Sequence, residues 1–321
     1  MHDTTKILIA KTRAYAVEHR ARSWWHFSST LLLLCGLVAI AAAASWWPTR
    51  LAASLLAGLM LVRMFIIYHD VLHGSMLGGS RVAAALMSAY GLLILNPRSI
   101  WSRSHNHHHR TVGQTYGSSI GSYPIMSRAG WRDASLVRRL QYVVQRHPLT
   151  MALGYVTVFL YGMCLRAFVV DTRRHWDAGL AVLVHGGLIT MLAVFAPHAM
   201  LNAVLVPMTV ACALGAYLFY AQHNYPDARI MGRGDWSYAA AALTSSSYMQ
   251  MGALMRWFTG NIGFHHVHHL NPRIPFYRLP EAMRGMVELQ HPGRTSLSLR
   301  QIWKCLRLRL WDPERERLVR R

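Results

Sequence analysis

LAASLLAGLMLVRMFIIYHDVLH, residues 51–73, is an apolar run that closes on a pair of histidines, His69 and His73. Its apolar part, 51–68, approaches the ~20 residues a helix needs to cross a bilayer. The two histidines are spaced i and i+4, so on a helix they share one face, one turn apart. The run therefore reads as a membrane-length helix that delivers two imidazoles at a bilayer edge.

Two further clusters repeat the pattern. His105, His108 and His109 stand in HNHHH, and His265, His268 and His269 in HHVHH. Each places imidazoles at i, i+3 and i+4, while His107 and His266 fall off that face and are expected beside the site rather than in it. Neutral imidazole is a good ligand for iron, copper, nickel or zinc. Eight such ligands exceed what one four-coordinate zinc takes, so the count suits two metal ions. A ninth candidate is His223, in the stretch YAQHNYPD, at the end of an apolar segment. Asp70, Asp227, Asp235, Asn261 and Asn271 lie near the clusters and are candidates for orienting the rings; each fits equally a helix cap or a turn. The other histidines, among them His26, His175 and His185, are scattered and are not expected to be ligands.

Composition agrees with a membrane protein. Hydrophobic residues make up 53% of the 321 and charged residues 15%, well below the ~25% of an average soluble domain. Apolar runs lie at 29–47, 51–68, 150–170, 178–196 and 199–222, and no secretory signal pattern is expected at the basic N-terminus. The net charge of +21 is mostly arginine outside the runs, which reads as positive-inside topology and headgroup attraction, with docking of an acidic redox partner as a further role. The basic residues track membrane boundaries, which argues against nucleic-acid binding. Cys35, Cys164, Cys212 and Cys305 are widely spaced and form no CxxC, so neither a thiolate site nor a disulfide framework is expected.

Charge then sets the topology. Lys6, Lys11, Arg13, Arg20 and Arg22 place the N-terminus in the cytoplasm, which returns His69 and His73 to that side after two spans. The run 82–95 is short and lies between Arg81 and Arg98, so it reads as re-entrant or in-plane. Segment 150–170 has arginines on both flanks and Arg166 inside, so it is expected to lie in the same leaflet, whereas 178–196 and 199–222 form a hairpin. The expected fold is an all-α integral membrane protein: about four transmembrane helices, in-plane or re-entrant helices, and a cytoplasmic histidine-rich metal-binding cap. Segment 236–258 reads as a helix under the metal layer. The chain divides into a basic segment 1–28, a membrane domain 29–280 and a basic amphipathic tail 281–321.

At these residues the chain resembles the membrane fatty acid desaturase family. His69 and His73 as HxxxH, with His105, His108, His109 and His265, His268, His269 as two HxxHH boxes, mark that family, and the resemblance covers roughly residues 60–280. The stretch 257–275, WFTGNIGFHHVHHLNPRIP, looks like the third box of bacterial acyl-lipid desaturases, and Gln222-His223 like their supplementary histidine. The resemblance implies four spans, nine histidines ligating two iron ions, dioxygen as co-substrate and a fatty acyl lipid as substrate. One iron would draw mainly on His69, His73 and part of the second box, the other on His223 and parts of boxes two and three. It implies an oxidoreductase of the bacterial inner membrane, acting on its cytoplasmic side with an external donor such as a ferredoxin or flavoprotein reductase. The stretch 115–124 matches no motif of known regiochemistry, and His291-Pro-Gly293 lacks the acidic domain of a cytochrome b5. Two other readings share parts of the pattern. A lipid or hydrocarbon hydroxylase would use the same ligands; a histidine-rich metal transporter or sensor would need polar groups within the spans, where this chain has few.

Overall fold

A computed structural model describes residues 2–115, 122–232 and 234–320, so most of the stretch 115–124 lies outside the described residues. Four helices among them are long and apolar enough to cross a membrane: α1 (Arg20–Ala43), α2 (Trp47–His73), α7 (Trp176–Phe195) and α8 (Pro197–Ala221). Two shorter apolar helices, α3 (Arg81–Leu93) and α6 (Tyr155–Val170), lie at the segments read as in-plane. Between them run α4 (Arg98–Thr111) and the amphipathic α5 (Leu136–Gln145), and α9 (His265–Leu270) and α10 (Leu299–Arg307) follow. The protein is a mostly helical membrane protein in architecture, as the sequence suggested.

Local chemistry fixes the helix ends that matter. Pro48 opens α2 in the first turn, where its missing N–H is no loss. Gly74, at φ 70°, closes α2 in the left-handed conformation one residue past His73, donating its N–H to Val71 and so stopping the helix where the histidine pair ends. In α8 the turn before Val206-Pro207 widens to a π-helix over Met200–Leu205, relieving the clash a proline ring makes with the preceding turn. Ser80 caps α3 by accepting the Ala83 N–H.

Helices α1 and α8 both pack along α2, and α7 packs against α3. Helix α2 is the central element: Met60, Met64, Ile67 and Tyr68 are fully buried, as packing residues of the main core.

Segment 236–258 departs from the sequence expectation. It is not one helix but a short helix, Tyr238–Thr244, a strand and a second short helix, Ala253–Phe258. The break falls at the buried Ser245, Ser246 and Ser247, and serine competes for backbone hydrogen bonds and so weakens a helix interior. Two small sheets tie the cap together. The three-stranded one joins β1 (Met126–Ser127) in parallel to β4 (Leu310–Asp312), which pairs antiparallel with β5 (Arg317–Val319). The two-stranded one pairs β2 (Tyr248–Gln250) in parallel with β3 (Arg294–Ser296). The tail 281–321 is therefore only partly helical: α10 is strongly amphipathic, and the last residues form a hairpin.

Candidate metal centre

The nine histidines singled out in the sequence converge at one end of the helices. His69, His73, His105, His109 and His268 form one group, and His108, His223, His265 and His269 a second; within each, ligand nitrogens lie within 4.8 Å of one another. Seven of the nine are buried, while His73 and His223 keep partial exposure. His107 and His266 belong to neither group, as expected; His266 instead turns its Nε2 to the Leu289 carbonyl at 3.2 Å.

Helix geometry explains the partition. Side chains advance about 100° per residue, so i and i+4 lie about 40° apart while i+3 points about 60° to the other side. His105 and His109 on α4 accordingly face the first group and His108 the second. On α9 the pair His265 and His269 faces the second group and His268 the first. The two helices are crossed donors: each gives a pair to one group and a single ring to the other. The third box thus contributes to both groups, whereas the resemblance implied a first group drawn mainly from His69, His73 and part of the second box.

The contacts are those of lone pairs brought together. His69 Nε2 is 3.1 Å from His105 Nε2, and His105 Nε2 is 3.0 Å from His109 Nε2. In the second group His223 Nε2 lies 3.0 Å from His108 Nε2 and 2.9 Å from His265 Nε2. The other nitrogen of two of these rings is already committed. His69 donates Nδ1–H to the Asp70 carboxylate at 2.9 Å, and His223 donates Nδ1–H to the Ser245 carbonyl at 2.9 Å. That fixes the tautomer and leaves each Nε2 as a bare acceptor. Acceptors facing acceptors repel unless a cation lies between them. Two nitrogens about 2.1 Å from one ion and at right angles to each other are about 3.0 Å apart, so the spacing fits shared ligation. The Nε2 of His73 and the Nδ1 of His109, His265 and His269 are buried with no hydrogen-bond partner.

Burial holds His105, His108, His109, His265, His268 and His269 well below the ordinary histidine range, and His223 down to about 4. The rings are neutral and ready to ligate at neutral pH. Neither donor group includes a carboxylate or a thiolate. Trp101 stacks on His105 with centroids 4.4 Å apart, and Phe219 packs on His108 at 4.9 Å, so aromatic faces line the flank.

Of the five orienting candidates, only Asp70 touches a ring. Its second oxygen accepts the Phe276 N–H at 2.7 Å, which braces the carboxylate. Asn261 occupies a left-handed turn, and Asn271 bonds Thr12 and the Arg273 N–H. Asp227 and Asp235 are exposed, and neither belongs to a donor group. Sequence reading missed the Ser245 carbonyl, because a backbone acceptor has no residue signature. It also missed Trp101, although the i, i+4 spacing to His105 was available as a signal.

The family model described as fatty acid desaturase matches residues 44–299, which include all nine histidines. The chain belongs to the fatty acid desaturase family. A fatty acid desaturase of Bacillus subtilis is 30% identical over 274 residues, covering 84% of this chain and 76% of that protein. The Arabidopsis thaliana acyl-lipid omega-3 desaturase (cytochrome b5) of the endoplasmic reticulum is 26% identical, covering 75% of this chain. The Helianthus annuus sn-2 acyl-lipid omega-3 desaturase (ferredoxin) of the chloroplast is 24% identical, covering 81%. The match spans 64% and 60% of the length of those two plant relatives. As a member of this family the chain is read as an oxidoreductase of lipid metabolism, with its histidine clusters compatible with metal.

Proposed function

We propose that the chain is an oxygen-dependent desaturase that places a double bond in fatty acyl chains of membrane lipids, with all nine histidines holding two iron ions. The observation that carries this reading is the crossed pair of imidazole groups: two all-nitrogen donor sets, side by side, sharing helices α4 and α9. Nitrogen-rich ligation without thiolates suits non-haem iron. Iron bound there would supply the reductive activation of dioxygen. The overall balance is one dioxygen, two electrons, two protons and the two hydrogens removed from adjacent acyl carbons, giving one double bond and two waters.

The residues of the chain have narrower tasks. Asp70 and the Ser245 carbonyl hold the Nδ1 protons of His69 and His223, so that Nε2 points inward. Burial keeps the remaining rings unprotonated, and Trp101 and Phe219 shield the donors from water. The basic N-terminus and the arginines around α3 and α6 support a cytoplasmic position for the histidine cap, in a bacterial inner membrane. The names of two plant relatives specify cytochrome b5 and ferredoxin, which supports a separate redox protein as electron donor here.

The experiment is a fatty acid mass spectrum of bacteria expressing the chain with a ferredoxin and its reductase, beside a His268→Ala control. A new double bond, two mass units lighter and absent from the control, is the expected result. An added oxygen in its place would reassign the chain as a hydroxylase.

A further inference from the structure

Outside the metal centre, a groove of about 760 Å3 lies between the β4–β5 hairpin and the loop that follows His223. Five arginines line it, Arg128, Arg229, Arg315, Arg317 and Arg320, against two carboxylates, Asp227 and Glu316. Three of the arginines meet an acid of the chain: Arg128 reaches the buried Asp312 at 3.1 Å, Arg315 the same carboxylate at 3.9 Å, and Arg229 meets Glu316 at 3.7 Å. Their side chains nevertheless stay 55–60% exposed, so the groove offers its positive charge to solvent.

The elements around the groove differ in what they turn outward. Helix α5 exposes Leu136, Val137 and Leu140, and α10 exposes Leu299 and Trp303, the faces of helices that lie on lipid. The hairpin does the reverse. Leu310, Trp311 and Leu318 are buried, and residues 313–317 are exposed and, apart from Pro313, charged. A surface whose fully exposed side chains are, Pro313 apart, charged faces water, and its charge is open to a soluble partner.

The groove also lies close to the centre by hydrogen bonds. The Ser245 hydroxyl donates to the Arg229 carbonyl at 2.6 Å, and the Ser245 carbonyl accepts His223 Nδ1–H at 2.9 Å. His223 in turn contacts both His108 and His265 of the second group. Two hydrogen bonds therefore connect the groove wall to a ring of the centre. The covalent route is as short, since Asp227 in the groove stands four residues after His223.

We infer that this groove is the docking surface for a small acidic one-electron carrier protein that reduces the chain, with entry through the second histidine group. The inference rests on the desaturase reading. Each encounter moves one electron from the reduced carrier to the centre, so two encounters oxidise two carriers and supply the two electrons of one turnover. Weak redox encounters bury under about 1,200 Å² and are steered by charge, which suits a shallow basic groove better than a deep apolar one.

The test measures binding of a plant-type [2Fe–2S] ferredoxin to the detergent-solubilised full chain across a salt series. Arg315→Glu/Arg317→Glu is compared with Arg300→Glu/Lys304→Glu, an equal charge change on exposed positions of α10. The groove variant is expected to weaken binding about tenfold with a shallower salt dependence, and the control by less than about twofold. Equal affinities for wild type and groove variant would overturn the proposal, as would an equal loss in the control. So would a groove variant whose ferredoxin affinity is unchanged but whose activity falls only in phosphatidylglycerol nanodiscs, which would make the groove a headgroup contact. A single turnover with dithionite-reduced protein, freed of excess reductant before oxygen is admitted, separates this from the underlying reading. It should form the double bond in wild type and groove variant alike; no product in either would sink the desaturase assignment itself.

Discussion

His268 Nε2 lies 3.1 Å from His109 Nε2, so a ring of the third cluster completes the group to which the second cluster gives its i, i+4 pair. Neither group is assembled from one cluster, and each depends on how α4 and α9 face one another. The crossed sharing makes single-histidine replacements informative, because each touches one group more than the other.

His268→Ala and His265→Ala are each expected to reduce bound iron from about two to about one per chain and activity at least about 100-fold. His107→Ala, outside both groups, should leave iron content unchanged. Iron per chain by elemental mass spectrometry checks all three. Loss of both ions from His107→Ala would contradict the assignment.

Asp70→Asn keeps the size of the side chain and an acceptor for the Phe276 N–H, but removes the charge that holds the His69 proton. An outer partner of this kind is worth about 10–100-fold in metal affinity or activity. Iron affinity measured by competition with a chelator should fall within that range, with the fold retained. Unchanged affinity would show that the carboxylate only braces the 276 loop.

Gly113 sits at φ 74°, and a methyl group there would collide with the Ser245 side chain, whose carbonyl orients His223. Gly113→Ala is expected to cost about 1–3 kcal/mol through strain and overpacking, and to loosen the second group before the first. Thermal unfolding together with iron content would reveal it. A fully stable variant with two irons would refute the link.

The metal-free protein should lose stability in acid. Burial holds the rings of α4 and α9 far below the ordinary histidine range, and His266 at about 4. Below about pH 6.5 the unfolded chain takes up protons that the folded chain refuses, so unfolding is favoured as the pH drops. Stability is full above about pH 6.5 and declines toward about pH 4. Denaturant unfolding of chelator-stripped protein at about pH 8 and about pH 5 measures the difference; equal midpoints would exclude neutral buried rings.

Much of this was legible in the sequence, for local reasons. The i, i+3, i+4 spacing put the rings of each cluster near one another, and runs such as 51–68 and 178–196 read directly as spans. Charge also separated α3 and α6 from the four long helices, and these two are indeed the shorter apolar ones. What escaped depends on residues distant in the chain. The break at Ser245–Ser247 serves His223 and the backbone N–H of His266, which bonds the Ser247 carbonyl. The hairpin in the tail was hidden because β4 finds its parallel partner in β1, at Met126↔Leu310, far away in sequence. The crossing of His268 to the first group needed the docking of α9 on α4, which no spacing encodes.

The most direct test of the central claim is the iron count of the purified chain beside His265→Ala/His268→Ala, with zinc and copper measured in the same samples. The account predicts about two irons per wild-type chain and nearly none in the double variant, because that pair draws one ligand from each group. Zinc or copper in place of iron, or two irons retained by the double variant, would contradict it.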